Sequence, residues 1–498
     1  MKKQKVFRRG AGILLPVASL PSPHGIGTFG KDAYQWLDFL KDAGQQYWQV
    51  LPMGPTSYGD SPYQSFSAFA GNPYFIDPEL LAGEGLLTQS ELSECSFGES
   101  PDRIDYAALY EGRFLLLKKA FDRSRHRDTE AYAQFCCRNS QWLDAYAEFM
   151  ALKMKFGGKS WLEWPDALRR REPETMRAVR SELAEETAFW KFCQFKFDEQ
   201  WRALREYAHK LGIGIIGDIP IYAAMDSADT WSEPEVFYLD PDGFPIDVAG
   251  CPPDAFSATG QLWGNPLYRW EYQEKTGFDW WKRRLAHTSE LYDIVRIDHF
   301  RGLAGYYAIP AGDKTAEHGE WRRGPGIKFF EAVQESLGGT KWILEDLGYL
   351  TPDVIRLRKA VGAPGMKVLQ FAFDSREESD YLPHNYEKNC IVYTGTHDND
   401  TMTGWMKTAA KADVAFSKKY LNIRRNRGAS WEYIRAAYAS VASLAVVPIQ
   451  DFLCLGSEAR INTPSTLGGN WEWRLRADAL SPELAEKIRS FTALYGRL

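Results

Sequence analysis

The stretch IVRIDHFRG at residues 294–302 decides how the rest of the chain is interpreted. Its first half is apolar and predicts a buried strand, which ends at the carboxylate of Asp298, two residues after Arg296. Because side chains alternate across a strand, these two side chains should point to the same side. We expect the guanidinium to lower the carboxyl pKa and to keep Asp298 ionised, as a carboxylate nucleophile requires. The alternative is a structural ion pair at a strand end.

Seven other short apolar runs share this pattern, and helical patterns or long loops follow them. The predicted strands are 12–15, 47–51, 213–216, 294–297, 342–344, 367–371, 391–393 and 445–447. Helical periodicity marks 32–43, 132–156, 185–209, 278–289, 326–337, 352–361 and 429–443. Strands that alternate with helices indicate a parallel sheet. Eight repeats predict an α/β fold, a (β/α)8 TIM barrel, with a doubly wound open sheet as the alternative.

The length of 498 residues leaves room for large insertions into such a barrel. Residues 1–76 contain the first two predicted strands and a long loop rich in Gly, Pro and Ser. Residues 77–210 are charged and predict a mostly helical insertion. Residues 211–498 complete the barrel, with an inserted loop subdomain near 223–272. Since the last predicted strand lies close to the end of the sequence, we expect helical and loop insertions and no separate C-terminal β domain.

Composition narrows the classes of partner. A net charge of −6 without a basic stripe counts against a nucleic-acid partner. No apolar run is long enough to predict a membrane helix, and Pro16 interrupts the apolar N-terminal segment, so we expect a cytoplasmic protein rather than an exported one. Seven Cys without metal-like spacing predict free thiols. The sequence shows no pattern typical of a metal cluster, a dinucleotide-binding fingerprint or a P-loop, so we expect no metal and no cofactor. The 18 Trp and 25 Tyr suit sugar ligands.

Acidic residues follow four of the predicted strands. They are Asp218, Asp298, the adjacent pair Glu345 and Asp346, and Asp398. A single carboxylate at a strand end is most often the N-cap of the next helix. In a barrel, however, catalytic groups gather at the C-terminal ends of the strands. Four carboxylates at successive strand ends therefore favour an active site.

Several segments also resemble a known family. They are GILLPVASLPSPHGIGTFG (12–30), GDIPIYAAMDSADTW (217–231), GQLWGNPLY (260–268), VRIDHFRG (295–302), ILEDLG (343–348), GTHDNDT (395–401) and INTPSTLGGNWEWR (461–474). They resemble the signature stretches of the 4-α-glucanotransferases, or amylomaltases, of glycoside hydrolase family 77. The pattern of R-x-D, a lone Glu and then H-D is shared with the wider α-amylase clan, whereas GQLWGNP and NTP-x-T-x-GGNW look specific to this family.

The resemblance implies a retaining double displacement in which Asp298 is the nucleophile, Glu345 the general acid/base and Asp398 a third, stabilising carboxylate. Such a mechanism predicts about 5–5.5 Å between the carboxyl groups of Asp298 and Glu345. The apolar residues before Glu345 predict a raised pKa, as an acid needs. Asp346 competes with Glu345, because neighbours on a strand point to opposite faces, and Asp400 competes with Asp398. The family pattern favours Glu345, and the preceding histidine favours Asp398.

The resemblance also implies a set of substrate-binding residues. They are Tyr63, Asp218, Trp263, Arg296, His299, Asp374, His397 and Asn462. Arg296 and His397 would donate to sugar hydroxyls and Tyr63 would stack on the sugar, while Asp218 suits a supporting role. The alternatives are a core tyrosine at Tyr63, a strand-end histidine at His299 and loop packing at Trp263. Ser465 departs from the family, where glycine is common, and would be strained if its φ is positive.

The sequence therefore predicts a cytoplasmic 4-α-glucanotransferase. It would cut an α-1,4 bond in a maltodextrin, starch or glycogen-derived glucan, hold the donor on Asp298 and transfer it to the 4-hydroxyl of glucose or of another glucan. Its partners would be these donor and acceptor sugars, without nucleic acid or membrane. The alternatives are an α-glucan hydrolase with the same carboxylates and a catalytically silent glucan-binding protein.

Overall fold

The computed structural model describes residues 4–57, 59–253, 257–348 and 350–498. Within these residues the strands are β1 (Gly10–Leu14), β2 (Tyr47–Gln49), β3 (Gly214–Ile219), β4 (Asp247–Cys251), β5 (Gln261–Pro266), β6 (Ile294–Ile297), β7 (Gly305–Pro310), β8 (Glu320–Arg323), β9 (Lys341–Leu344), β10 (Gly365–Val368), β11 (Cys390–Tyr393) and β12 (Leu444–Pro448).

Eight of these strands close a barrel in the order β1-β12-β11-β10-β9-β6-β3-β2. Neighbouring strands of the barrel pair in parallel, for example β3 with β6 and β6 with β9. Strands of a parallel barrel are covered on both faces, so they consist of continuous apolar runs rather than alternating ones. β6 and β12 are accordingly buried along their whole length. The predicted (β/α)8 TIM barrel is confirmed.

Helices surround the barrel. In the described residues they are α1 (Lys31–Asp42), α2 (Pro78–Gly83), α3 (Gln89–Glu94), α4 (Tyr106–Arg123), α5 (Glu130–Arg138), α6 (Leu143–Lys155), α7 (Asp166–Arg169), α8 (Pro173–Glu182), α9 (Ala184–Lys210), α10 (Ala228–Ser232), α11 (Trp270–Lys275), α12 (Asp279–Leu291), α13 (Arg301–Ala304), α14 (Ile327–Val333), α15 (Pro352–Val361), α16 (Met402–Thr408), α17 (Lys411–Tyr420), α18 (Ser430–Ala439), α19 (Ile449–Phe452) and α20 (Pro482–Leu494). In the part of the chain that is described, none of them combines the length and hydropathy needed to cross a membrane.

Residues 77–210, all of them described, contain α2–α9. The predicted helical pattern at 132–156 is divided into α5 and α6, because the chain turns at residues 139–142. α9 packs against α1 and β3, so the last helix of this segment covers the barrel between β2 and β3. The division of the chain into the three predicted parts stays a prediction.

A second sheet lies outside the barrel. It is antiparallel, with the strand order β5-β4-β7-β8. The segment near 223–272, expected to be a loop subdomain, supplies β4 and β5, and the segment after β6 supplies β7 and β8. The bounds of several barrel strands also differ from the prediction. β3 extends to Ile219 and so includes Asp218, and β10 ends at Val368, where residues 369–371 form a 3₁₀ turn.

Candidate active site

Backbone hydrogen bonds that continue past the strand ends hold two of the predicted catalytic residues. The Asp298 N–H donates to the carbonyl of Ile219 on β3 at 3.1 Å, and the Glu345 N–H donates to the carbonyl of Ile297 on β6 at 3.0 Å. Both residues therefore keep the spacing of the parallel sheet beyond the last strand residue. Their side chains reach the same end of the barrel.

Arg296 lies at the centre of this cluster, and only 3% of its side chain is exposed. Its Nη1 donates to both carboxylate oxygens of Asp218, at 2.6 and 2.7 Å. The same nitrogen lies 3.1 Å from Asp298 Oδ1, and Nη2 lies 3.1 Å from Glu345 Oε2. One buried guanidinium thus contacts three carboxylates, which strand register explains in part, because Arg296 and Asp218 are direct neighbours across β6 and β3.

Asp298 and Glu345 are close neighbours, because Arg296 Nη1 contacts the first carboxyl group and Arg296 Nη2 the second. The separation of about 5–5.5 Å between them, which the retaining mechanism requires, stays a prediction. Two adjacent carboxyl groups cannot both ionise readily, so the pair retains a proton.

The electrostatic expectation for this pair was wrong in direction. Burial and the neighbouring Glu345 carboxylate raise the pKa of Asp298 well above its ordinary value. Burial acts the same way on Glu345, but Arg296 and the backbone N–H of His299, at 2.6 Å, together lower the pKa of Glu345. The reason is that Arg296 also contacts Asp218 and Glu345, so its charge does not stabilise the Asp298 carboxylate alone.

The two competing carboxylates point elsewhere. Asp346 is buried, accepts the Met366 N–H at 2.7 Å and pairs with Arg358 at 3.3 Å. It fits because residue 365 is glycine, where a Cβ would lie 2.3 Å from Asp346 Oδ2. Asp400 accepts the Thr401 N–H and the Ser457 hydroxyl beside the start of α16. Glu345 and Asp398, rather than these neighbours, thus face the barrel mouth.

Asp398 is held by the motif that contains it and by the loop at 461–474. Asn462 Nδ2 donates to Asp398 Oδ1 at 2.7 Å, and His397 Nε2 lies 3.4 Å from the same oxygen. Enclosure in the barrel mouth raises the pKa of Asp398, but His397 and Asn462 outweigh it and bring the pKa to about 2. Arg460 fixes the backbone by donating to the Asp398 carbonyl at 2.7 Å. Asp398 is therefore ionised at neutral pH.

Aromatic rings form the walls of the site. Tyr63 donates its hydroxyl to Asp218 Oδ2 at 2.8 Å, and its ring stacks on His397 with centroids 5.1 Å apart. The Trp471 ring lies about 6 Å from both. Trp263 meets His299 edge to face at 4.8 Å. Such rings offer flat surfaces with polar edges, which suit a sugar.

The profile of the family Glyco_hydro_77, described as 4-alpha-glucanotransferase, matches residues 15–480. The chain belongs to this 4-α-glucanotransferase family. Among its curated relatives, the 4-alpha-glucanotransferase of Clostridium butyricum is 49% identical over 97% of this chain and 99% of the relative. That of Thermus thermophilus is 50% identical over 98% and 99%, respectively. The activity of this enzyme is 4-α-glucan transfer, and its substrate is an α-glucan.

Solved structures agree with the fold of the transferase. The amylomaltase of Streptococcus agalactiae in complex with acarbose superposes with a TM-score of 0.95 at 41% identity and covers 98% of this chain and 100% of that one. The amylomaltase of Corynebacterium glutamicum shares the fold, with a TM-score of 0.80 at 19% identity over 98% and 75%.

Asp374 is the predicted site residue that the structure leaves outside the cluster. It forms a two-pronged ion pair with Arg376, at 2.7 and 2.8 Å, and accepts the Arg376 N–H. This ion pair lowers the pKa of Asp374 to about 2. Nothing in the local pattern VLQFAFD distinguishes such a turn from a site carboxylate.

Two features of the transferase were not singled out from sequence: the presence of Trp471 and Arg460 in the site, and the backbone conformation of His299. Trp471 and Arg460 belong to the site, and their only signal was their position in or next to the 461–474 motif. His299 adopts a left-handed backbone, with φ of 44°, in which its N–H reaches Glu345, and burial lowers its pKa to about 4. Ser465, which stands where glycine is common in the family, has a positive φ of 63°. This is the backbone conformation in which we expect a serine to be strained.

Proposed function

We propose that the transferase works by retaining double displacement, with Asp298 as nucleophile, Glu345 as general acid/base and Asp398 as the stabilising carboxylate. The observation that carries the proposal is that Arg296 holds Asp298 and Glu345 together, while Asn462 and His397 hold Asp398 beside rings that suit a sugar. Retaining glycosidases need one carboxylate to trap the anomeric carbon and one carboxylic acid to protonate the leaving oxygen.

The proton shared by Asp298 and Glu345 is the key to the first step. When a glucan binds, Glu345 holds this proton and Asp298 is the ionised member of the pair. Glu345 then donates it to the glycosidic oxygen as the C–O bond breaks, and Asp298 Oδ bonds the anomeric carbon. In the second step Glu345 takes the proton of an acceptor 4-hydroxyl, whose oxygen displaces Asp298. Each step conserves the charge of the pair.

Asp398 and Arg296 act on the same sugar. With a pKa of about 2, Asp398 is an anion that accepts hydrogen bonds from sugar hydroxyls and stabilises the positive charge that develops on the ring. Arg296 and His397 donate to hydroxyls, and the stacked Tyr63 and His397 rings carry the sugar face. Asp218 holds Arg296 and Tyr63 in place.

Transfer rather than hydrolysis requires that an acceptor sugar occupy the site while water is excluded. Trp263, against His299, and the loop at 461–474, through Asn462, lie beside the carboxylates and suit this role. We infer that the donor and acceptor are maltodextrin, starch or glycogen-type glucans, with glucose as a further acceptor, and that the enzyme acts in the cytoplasm. The helical segment 77–210 and the sheet β5-β4-β7-β8 would be insertions that frame this site.

Incubation with maltotriose alone tests the reaction. A ladder of longer dextrins with free glucose is expected, whereas glucose and maltose without longer products would indicate hydrolysis. Asp298→Asn should abolish turnover while the circular dichroism spectrum stays that of the wild type. Asp398→Asn and Asp400→Asn form a matched pair within one motif, and only the first should stop transfer. Wild-type turnover by Asp298→Asn would refute the proposed mechanism.

A further inference from the structure

A cleft of about 760 Å³ lies on the protein surface between β8 and α15. It is separate from the aromatic walls described above. The side chains that define it are Arg301, Trp321, Arg322, Arg323, Asp353 and Arg356. Its volume is within the range of small-molecule sites in proteins.

The charge of this arginine cleft is opposite to that of the whole chain, which carries −6. Four arginines and one aspartate line it among the described residues. Arg322 is neutralised by ion pairs to Asp247 and Glu320, at 2.6 and 2.8 Å. Arg323 and Arg356 are exposed and have no ion-pair partner within the described ranges. Two guanidinium groups are therefore available to an anion.

The aromatic member of the cleft stands on a sheet edge. β8 is the last strand of its sheet and pairs only with β7 in the described structure, where Trp321 lies opposite Tyr307. The Trp321 side chain is 45% exposed, and the Arg301 guanidinium lies 4.1 Å from the ring centroid. Because side chains alternate along a strand, Trp321 and Arg323 share one face. An exposed indole beside an arginine suits a ligand with a ring and a negative group.

The start of α15 contributes an acceptor rather than an anion site. The Asp353 carboxylate accepts hydrogen bonds from Thr351 and from backbone N–H groups of the first turn, which lower its pKa. The helix N-terminus is thus already occupied by a carboxylate of its own. Asp353 remains able to accept a hydrogen bond from a ligand hydroxyl, since a carboxylate has about four acceptor positions.

We propose that the arginine cleft binds a phosphorylated sugar. The planar guanidinium groups of Arg323 and Arg356 bind the phosphomonoester, as arginine does in two-pronged phosphate recognition. The hexose ring packs on the exposed indole of Trp321, and a hydroxyl donates to Asp353. The phosphomonoester belongs either to a free sugar phosphate or to a phosphorylated glucose unit of a glucan chain. This site is independent of the roles proposed for the three carboxylates.

Isothermal titration calorimetry at low and at physiological salt tests the proposal. The probes are glucose 6-phosphate, inorganic phosphate, ADP, and maltodextrin with and without phosphomonoesters, the last two in the Asp298→Asn background to prevent turnover. Glucose 6-phosphate should bind more tightly than inorganic phosphate, and salt should weaken it. The double variant Arg323→Gln/Arg356→Gln should weaken binding by about tenfold or more, since both lost contacts are charge-assisted. Trp321→Ala should weaken the binding of glucose 6-phosphate but leave the Kd for inorganic phosphate unchanged.

The control is Arg424→Gln/Arg425→Gln, which removes the same charge from exposed arginines between α17 and α18 and should leave the Kd within about twofold. A phosphorylated dextrin that binds more tightly than its dephosphorylated form, with the difference lost in the cleft variant, identifies the glucan as the source. If glucose 6-phosphate binds more tightly than the phosphorylated dextrin, the ligand is the free sugar phosphate. Equal affinity for inorganic phosphate, tighter ADP, or an unchanged Kd in the cleft variant would each overturn the proposal.

Discussion

Removal of Arg296 should destabilise the enzyme strongly, and the effect should depend on pH. The Arg296 side chain is 3% exposed and that of Asp218 is 0% exposed. Arg296→Met removes the guanidinium that donates to both Asp218 oxygens and leaves that carboxylate with the Tyr63 hydroxyl. Removing one partner of a buried ion pair costs about 3–5 kcal/mol, because the other charge stays buried and uncompensated. We therefore expect the free energy of unfolding at pH 8 to fall by about 3–5 kcal/mol.

The sign of the pH dependence follows from Glu345, another carboxylate that Arg296 contacts. Burial raises the pKa of Glu345 and Arg296 lowers it, so without Arg296 the folded-state pKa of Glu345 should rise above its unfolded value of about 4.3. The folded variant then binds more protons than the unfolded chain, so its stability rises as pH falls. The deficit relative to wild type should narrow between pH 8 and pH 5. The second-site change Asp218→Asn should recover about 2 kcal/mol in the Arg296→Met background, since it removes the buried charge.

Urea unfolding followed by far-UV circular dichroism, at pH 5 and pH 8, measures these differences. Arg177→Met is the control, because Arg177 is an exposed residue paired with Glu174, and its loss should change the free energy of unfolding by less than about 1 kcal/mol. The reasoning is refuted if Arg296→Met costs no more than this control, or if its deficit is the same at both pH values.

Three further predictions concern the site and its loop. Transfer should decline at alkaline pH as the Asp298–Glu345 pair loses its shared proton, and a rate on maltotriose that stays flat to high pH would contradict this. Asn462→Ala should raise the pKa of Asp398 from about 2 and shift the acidic limb of the kcat profile upward, and an unmoved limb would exclude this contact from the reaction. Ser465→Gly should be neutral or stabilising, whereas Ser465→Val should cost about 1 kcal/mol more in thermal unfolding; equal stability would show that the positive φ carries no strain.

Much of the fold followed from local patterns. β6 spans the predicted residues 294–297, and α15 spans the predicted 352–361. Pro352, at the first position of α15, is typical of the start of a helix, and Gly362, with φ of 74°, is typical of the end of one. Such signals act over a few residues, so a single sequence contains them. The sheet formed by β4 and β7 was not foreseen, because it joins segments from two separate loops and only the folded barrel brings them together.

By itself, the sequence determined the eight barrel strands, their alternation with helices and the membership of the family. Each of these depends on short motifs or on residues that are near neighbours in the chain. The tertiary structure alone decided which of two adjacent carboxylates enters the mouth, that Asp374 pairs with Arg376 outside the cluster, and that Arg296 serves Asp218 and Glu345 as well as Asp298. The physical reason is that orientation and charge in a buried site depend on what lies across the barrel. The Glu345 and Asp218 carboxylates, which help to raise the pKa of Asp298, follow or belong to other strands, at a distance in sequence that no local pattern spans.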